Sequence, residues 1–457
     1  MAKPDIRNLG NCTADAKQAA LDPNVGPPEP NQYHVLLGRL QTARAKIPPL
    51  YIDTAFDPYV QTLVQIGEDG FNQILIQDPD REGAAGLMLD IAQAFLQRGD
   101  GFEPAALGAF EEVVSDLYDG FLSAEDRRGV APPDRETLPP LVKFGNPDAG
   151  PYTWPADATG NFGMKVAVVN LPPANAHHGL LAWPALGHET AGHDILHADI
   201  GLLPEVADAV RAGLTADAST KALASYWADR IDETASDVLG ILNMGPSPAI
   251  GLIGFFRGLS GAAGEPPVLR SSGPAADPHP ADILRGFLGA ATVRQLEFSQ
   301  AADWADVILA ETQKDVAKIV LAGATVTVAA AKKSAEIVSK VIVSHPMRAL
   351  ESHAFGEIQN WRDADETIVQ QLRPSLTTAS KIPTSFTAGV FAAHLVAAAT
   401  TSALAQGANI AVIFRRMIEG LKTMNGKNPS FGPLRVRHPG NLVRDRAYIP
   451  DVDGKVA

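Results

Sequence analysis

The sequence predicts a predominantly helical α+β fold with a small sheet. Three observations predict it. Apolar residues recur at helical spacing from His34 to about Leu122, and again through most of 281–425. Two connectors rich in Pro and Gly, 130–160 and 261–280, separate those stretches. A short β-like run, Lys165-Val166-Ala167-Val168-Val169, is stopped by Pro172-Pro173 just before the segment richest in histidine.

Residues 1–32 contain Pro23, Gly26, Pro27, Pro28 and Pro30 and read as an irregular arm. Residues 33–130 read as a lobe of four helices, with Leu36, Leu37 and Leu40, then Val60, Leu63 and Val64, then Leu87, Ile91 and Phe95 on their apolar faces. Pro104 opens the fourth, through Leu107, Phe110 and Leu117. Residues 131–350 form the expected core. In it Leu180–His197 reads as helix interrupted by Pro184, and Leu202–Ala212 as another. A long helix is expected over Ser219–Met244, stopped by Gly245-Pro246. Thr325–Ala329 and Val341–Ser344 are open to strand or helix. Residues 351–457 read as a C-terminal helical region and an irregular tail. Phe386–Phe414 is the most apolar stretch, but His394, Gln406 and Asn409 favour a buried helix over a membrane span.

Of the 457 residues 46% are apolar and 20% charged, which excludes disorder over the whole length and supports a sizeable core. A net charge of −14 argues against a sequence-independent nucleic-acid binder, since phosphate contacts need clustered cations. The first residues show no basic segment followed by an apolar one, so a cytoplasmic location is the expectation. The single cysteine, Cys12, rules out an internal disulfide and a Cys-rich zinc site, so any metal must be held by histidine and carboxylate. Nothing in the sequence speaks to oligomeric state.

Five of the 11 histidines, His177, His178, His188, His193 and His197, crowd into 21 residues. The centre of the cluster is Gly187-His188-Glu189-Thr190-Ala191-Gly192-His193-Asp194-Ile195-Leu196-His197. On an α-helix His193 and His197 share one face, one turn apart, and can grip one ion. Two registers are open. In the preferred one, His193-Asp194-x-x-His197 is a variant of the His-Glu-x-x-His zinc motif. In the other, His188-Glu189 acts with His193, which requires a π-bulge near Gly192. Zinc at a catalytic site takes three protein ligands and leaves a position open. Glu233 is the expected third ligand, because apolar Ile231, Ala235, Val238 and Leu239 flank it and a carboxylate there needs a cation. Asp237, one turn on, is placed to accept a proton from a ligand histidine, with His188 nearby. His34, His279, His353, His394 and His438 have no partner identifiable from spacing.

A His pair followed by Glu-x-x-x-Asp on a later helix resembles the gluzincin branch of the zincin metallopeptidases, over about 165–350. Ser344-His345-Pro346-Met347-Arg348 is similar to the His-Pro…Arg segment of several such families. The resemblance implies a zincin-like metal-binding core, Zn2+ on His193, His197 and Glu233, and a peptide or protein substrate. It implies that Glu189 or Asp194 removes the proton of the attacking water, that Asp237 orients a histidine, and that His345 or Arg348 stabilises the oxyanion. The sequence departs from the pattern in one respect. The family places Glu directly after the first ligand histidine, where the preferred register has the shorter Asp194. Two other functions follow from that departure. His193-Asp194 is also the pair expected of an HD-type metal-dependent phosphohydrolase, and a missing base suits a non-catalytic zincin-like binding or assembly protein.

Overall fold

The computed structural model describes residues 3–122, 130–131, 133–135, 138–147, 150–378, 380–387 and 391–427, and the strands Arg435–His438 and Asn441–Arg444. Helices dominate, and the sheets are small, so the architecture is a predominantly helical α+β fold. The predicted helices of the N-terminal half are α2 (Tyr33–Ala43), α3 (Asp57–Gln77), α4 (Ala84–Asp100) and α5 (Pro104–Leu122). Before them, the expected irregular arm contains a helix, α1 (Leu9–Ala20), which buries Leu9, Cys12 and Ala16. The turn residues Pro23–Pro30 follow that helix, which is why composition over 1–32 as a whole hid it.

The first sheet has β1 (Leu141–Phe144), β2 (Tyr152–Trp154) and β3 (Val168–Leu171) in the order β1-β3-β2, with β1 parallel and β2 antiparallel to the central β3. The expected strand at 165–169 is therefore present three residues further on. It is the buried centre of the sheet, and its neighbour β2, inside the Pro-rich connector, forms the edge. Two apolar clusters meet at this sheet. One joins α2, α3 and α4 to Leu141, Val166 and Val168; the larger takes in the remainder. Helix α5 belongs to the larger cluster, against α15 (Ile410–Asn425), rather than to the lobe of its sequence neighbours.

Three consecutive segments, Ala185–His188, Glu189–Asp194 and Ile195–Ala198, make one continuous helix, α6. Its middle segment is a π-helix. Helix α7 (Leu202–Thr215) follows. The expected long helix over 219–244 breaks at Asp229–Arg230, leaving α8 (Ile231–Met244). The break is held by Arg230, whose guanidinium donates to the carbonyls of Tyr226, Pro274 and Ala275 at 2.9–3.1 Å. Then come α9 (Ser247–Ala262), α10 (Asp282–Val293), α11 (Ala301–Lys314) and α12 (Val328–Ser344), so Val341–Ser344 is helix. A second sheet joins β4 (Ser272–Gly273), β5 (Ile319–Leu321) and β6 (Ala324–Val326). Helices α13 (Asp363–Thr377) and α14 (Ala392–Ala403) complete the core with α15. In the tail read as irregular, β7 (Arg435–His438) pairs with β8 (Asn441–Arg444). Among the described residues no helix is long and apolar enough to cross a membrane.

Helices α6 and α8 touch almost backbone to backbone. A Cβ on Gly192 would lie 2.4 Å from the Cβ of Ser236 and 2.5 Å from its Cα, and one on Gly240 would lie 2.9 Å from the amide nitrogen of His188. Neither neighbour is a flexible side-chain end, so no side chain fits at either position. Gly192→Ala should push the helices apart and cost about 1–3 kcal/mol of stability, the usual range for overpacking. Chemical denaturation measures this; an unchanged midpoint would contradict the contact.

Candidate metal centre

The π-helical segment decides which histidines meet. Its i→i+5 hydrogen bonds widen the turn by a residue, so positions five apart come onto one side. His188 and His193 stand there with their Nε2 atoms 3.1 Å apart. Glu233, in the first turn of α8, reaches both: Oε2 is 3.2 Å from His188 Nε2 and Oε1 is 3.6 Å from His193 Nε2. A tetrahedral ion with bonds of about 2.0–2.1 Å separates its donors by about 3.3–3.4 Å. The two imidazole nitrogens, 3.1 Å apart, are close to that spacing, and one oxygen of Glu233 lies within 4.8 Å of both. Among the described residues this trio is the one group whose donor atoms converge closely enough to hold a metal ion. Glu233 Oε2 is buried beside His188 Nε2 without a hydrogen bond of good geometry, an acceptor left available to a cation.

Each imidazole is fixed through its other nitrogen. His188 Nδ1 donates to Asp237 Oδ1 at 2.8 Å, and His193 Nδ1 donates to Asp232 Oδ1 at 2.9 Å. That tautomer turns both Nε2 lone pairs toward the gap. Asp237 is in turn gripped by Arg285 of α10, with two bonds of 2.7 Å. Arg285 also lies 3.9 Å from Glu233 Oε2. Burial opposes charge on His188, but Asp237 and Glu233 outweigh it and raise its pKa to about 10. Burial likewise opposes charge on Glu233, and the rings of His188 and His279 hold its carboxyl well below the usual range. A cluster with that preference for charge separation is one in which a dication can replace protons.

The preferred register differs from this geometry. His197 does not join the converging group. Its Nδ1 bonds Asp157 at 2.9 Å and its Nε2 meets Asp232 at 3.2 Å, so it touches His193 only through the Asp232 bridge. The unbroken α-helix assumed for His193 and His197 is the reason for the difference. Asp194, the candidate base of that register, is fully buried, lines no part of the cleft and has no hydrogen bond on either carboxylate oxygen. Desolvation raises its pKa to about 7. Glu189 instead lies on the cleft wall, where its Oε2 accepts a 2.9 Å bond from Thr153 Oγ1. Thr153 faces Glu189 because its neighbours on β2 are anchored on the opposite side. Tyr152 and Trp154 both donate to Asp90, at 2.6 and 2.8 Å, and Asp90 pairs with buried Lys143 at 2.8 Å.

His345 and Arg348 are corrected: both are exposed and outside the cleft. Helix α12 ends at Ser344, and the turn after it docks on α7, where Glu205 accepts the amides of Arg348 and Ala349 and the Arg348 side chain. The residue that faces the centre is His279, in the loop between β4 and α10. Its Nε2 is 3.3 Å from Glu233 Oε1, and its Nδ1 is 3.2 Å from Asp277. Sequence spacing had no means to find it, since it lies 46 positions after Glu233 on an irregular segment.

The centre opens into a cleft of about 1100 Å³ bounded by β2, α6, α8, α9 and the loop carrying His279. No known family profile, curated protein or solved structure matches this chain.

Two outcomes follow for the centre. His188→Ala and Glu233→Ala should each abolish retention of about one divalent ion per chain, while Asp237→Asn weakens it about 10–100-fold. Elemental analysis after dialysis measures this, and full retention in His188→Ala would refute the trio. Asp194 gives a stability test. Its folded pKa lies above the unfolded one, so its contribution is complete below about pH 4 and is lost as pH rises to about 7. Asp194→Asn should therefore gain on the native protein across that window and keep a lead of up to a few kcal/mol above it. Denaturation midpoints that move in parallel at all pH values would contradict this.

Proposed function

We propose that the protein is a zinc-dependent hydrolase of the metallopeptidase type. The observation that carries this reading is the convergence of His188 Nε2, His193 Nε2 and Glu233 on one point at the floor of an open cleft, with Glu189 beside them. His188, His193 and Glu233 would hold the ion, a borderline-soft dication being suited to two imidazoles and a carboxylate. When bound, zinc supplies a Lewis acid that polarises a carbonyl and brings the pKa of water from about 16 to about 7.

The chain's own residues supply the remainder. Glu189, directly after His188, occupies the position that the gluzincin pattern reserves for the base. Its carboxylate takes the proton of the attacking water and passes it to the leaving amine. Thr153 holds that carboxylate against rotation. Asp237 and Asp232 keep the two rings in one tautomer. His279 donates to the oxygen that becomes negative as the carbonyl is attacked, the role that the gluzincin resemblance implies for His345 or Arg348.

The two other readings lose their motive in this geometry. An HD-type phosphohydrolase needs the aspartate of the His-Asp pair at the metal, and Asp194 points into the core. A non-catalytic module rested on a missing base, and a carboxylate on the cleft wall, Glu189, supports the hydrolase reading instead.

The zinc-loaded protein should cleave a mixed peptide library, lose the activity to a chelator and regain it with zinc. Glu189→Gln should retain the metal and lose about 10²–10⁴-fold in kcat. Mass spectrometry of the products and metal analysis of the variant measure both. A fully loaded protein that leaves every peptide intact, or that turns over phosphodiesters instead, would contradict the proposal.

A further inference from the structure

The wall of the cleft opposite β2 is the face of α9 that carries Leu252, Phe255, Phe256 and Leu259. Their spacing of 0, 3, 4 and 7 puts all four on one side of the helix. Each is only half-buried, so the stripe is apolar surface left uncovered. The row begins beside His188 and Arg285, where Leu252 and Phe255 also line a small recess. It does not end at the rim. Gly150, Phe255 and Leu259 are shared with a second groove of about 290 Å³, bounded by α1 and the end of α9. The far walls of that groove include Ala16, Ala19, Ala20, Leu21, Ala262 and Ala263, and among the described residues no charged side chain lines it. Leu21, at its outer end, is 57% exposed.

The cleft therefore continues away from the metal centre as an uncharged track. From Leu252 to Ala263 it follows about 16 Å of helix, at about 1.5 Å per residue. An extended polypeptide covers that distance with about five residues.

Charge selects further. Among the described residues six carboxylates line the main cleft against three arginines, and no lysine lines it. Each arginine already faces a carboxylate: Arg81 faces Glu29, Arg270 faces Asp277 and Arg285 faces Asp237. Asp80 and Glu82 flank Arg81 at the lip. Among the described residues an anionic chain would meet an excess of carboxylates and no arginine without a carboxylate partner, so an acidic peptide or an anionic lipid is disfavoured. The edge strand β2 presents backbone donors and acceptors that a polypeptide matches and a hydrocarbon chain does not.

We infer that the substrate is a neutral or basic polypeptide carrying about five consecutive apolar residues on one side of the bond to be cut, seated along α9 and into the groove against α1. This rests on the hydrolase reading of the centre and adds to it the class of substrate. Small side chains suit the outer groove, where alanines form both walls, and larger ones suit the Phe255–Leu259 stretch.

The experiment separates the two ideas. Zinc-loaded Glu189→Gln is titrated with labelled peptides of about ten residues, one carrying the apolar segment and one with that segment replaced by alternating Asp and Ser. The apolar peptide should bind about tenfold tighter or better. Adding Ala20→Glu, a change at an exposed position in the outer groove, or Leu259→Glu, should bring the two peptides within about threefold, with the metal retained. In the wild type, the peptides cut fastest from a library should carry the apolar run on one fixed side of the bond. Preferential binding without cleavage would uphold the track and overturn hydrolysis. Cleavage with no apolar preference, or a preference that survives both glutamates, would overturn the track and leave hydrolysis standing. Tighter binding of an N-acylated single amino acid than of any peptide would overturn the polypeptide assignment.

Discussion

The backbone contact between α6 and α8 is the constraint on which the centre depends. Gly192 against Ser236, and Gly240 against the amide of His188, let the two helices approach more closely than side chains permit. That approach brings Glu233 within 3.2–3.6 Å of two imidazoles carried on the other helix. The π-helical segment is the second half of the constraint. Without its extra residue per turn, His188 and His193 would diverge around the helix and Glu233 would face one ring at most.

Such a cluster is costly to assemble without a cation. Half-buried Glu233 and buried Asp237 lie on the same face of α8, and two carboxylates there repel each other and lose hydration. Arg285, itself buried, offsets part of this with its paired bonds to Asp237, and His188, whose pKa the two carboxylates raise, offsets a further part when protonated. Removing one member of a buried charged pair costs about 3–5 kcal/mol in known cases, so Arg285 ties the stability of α8 and α10 to the shape of the centre. The same arrangement orients His188. The same residue therefore serves two ends here: Asp237 is part of the folded core and also the group that sets the tautomer of His188.

Much of the helical architecture was legible from apolar periodicity, because α2, α3 and α7 each bury one face, while α4 and α5 are long apolar runs buried nearly all round. The neighbourhood was legible in composition: the histidine cluster and Glu-x-x-x-Asp pointed to His193, His197 and Glu233 as ligands with His188 and Asp237 beside them, and the converging group is His188, His193 and Glu233. Which histidines pair was not legible with certainty, since a π segment has no strong sequence signal and an unbroken α-helix favours His193 with His197. Asp194 and His197 were misplaced for that one reason. His345 and Arg348 failed differently, because a local motif says nothing about where a helix end docks, and Glu205 draws that turn to α7. His279 and Thr153 lie on a loop and a three-residue strand, where no periodicity exists to read.

The most direct measurement is an anomalous difference map from crystals grown with zinc and recorded on either side of the zinc absorption edge. A single strong peak about 2.0–2.1 Å from His188 Nε2, His193 Nε2 and a Glu233 oxygen is the predicted result. A peak on His193 and His197 with His188 turned away, or no peak between α6 and α8 at full zinc occupancy in solution, would contradict it.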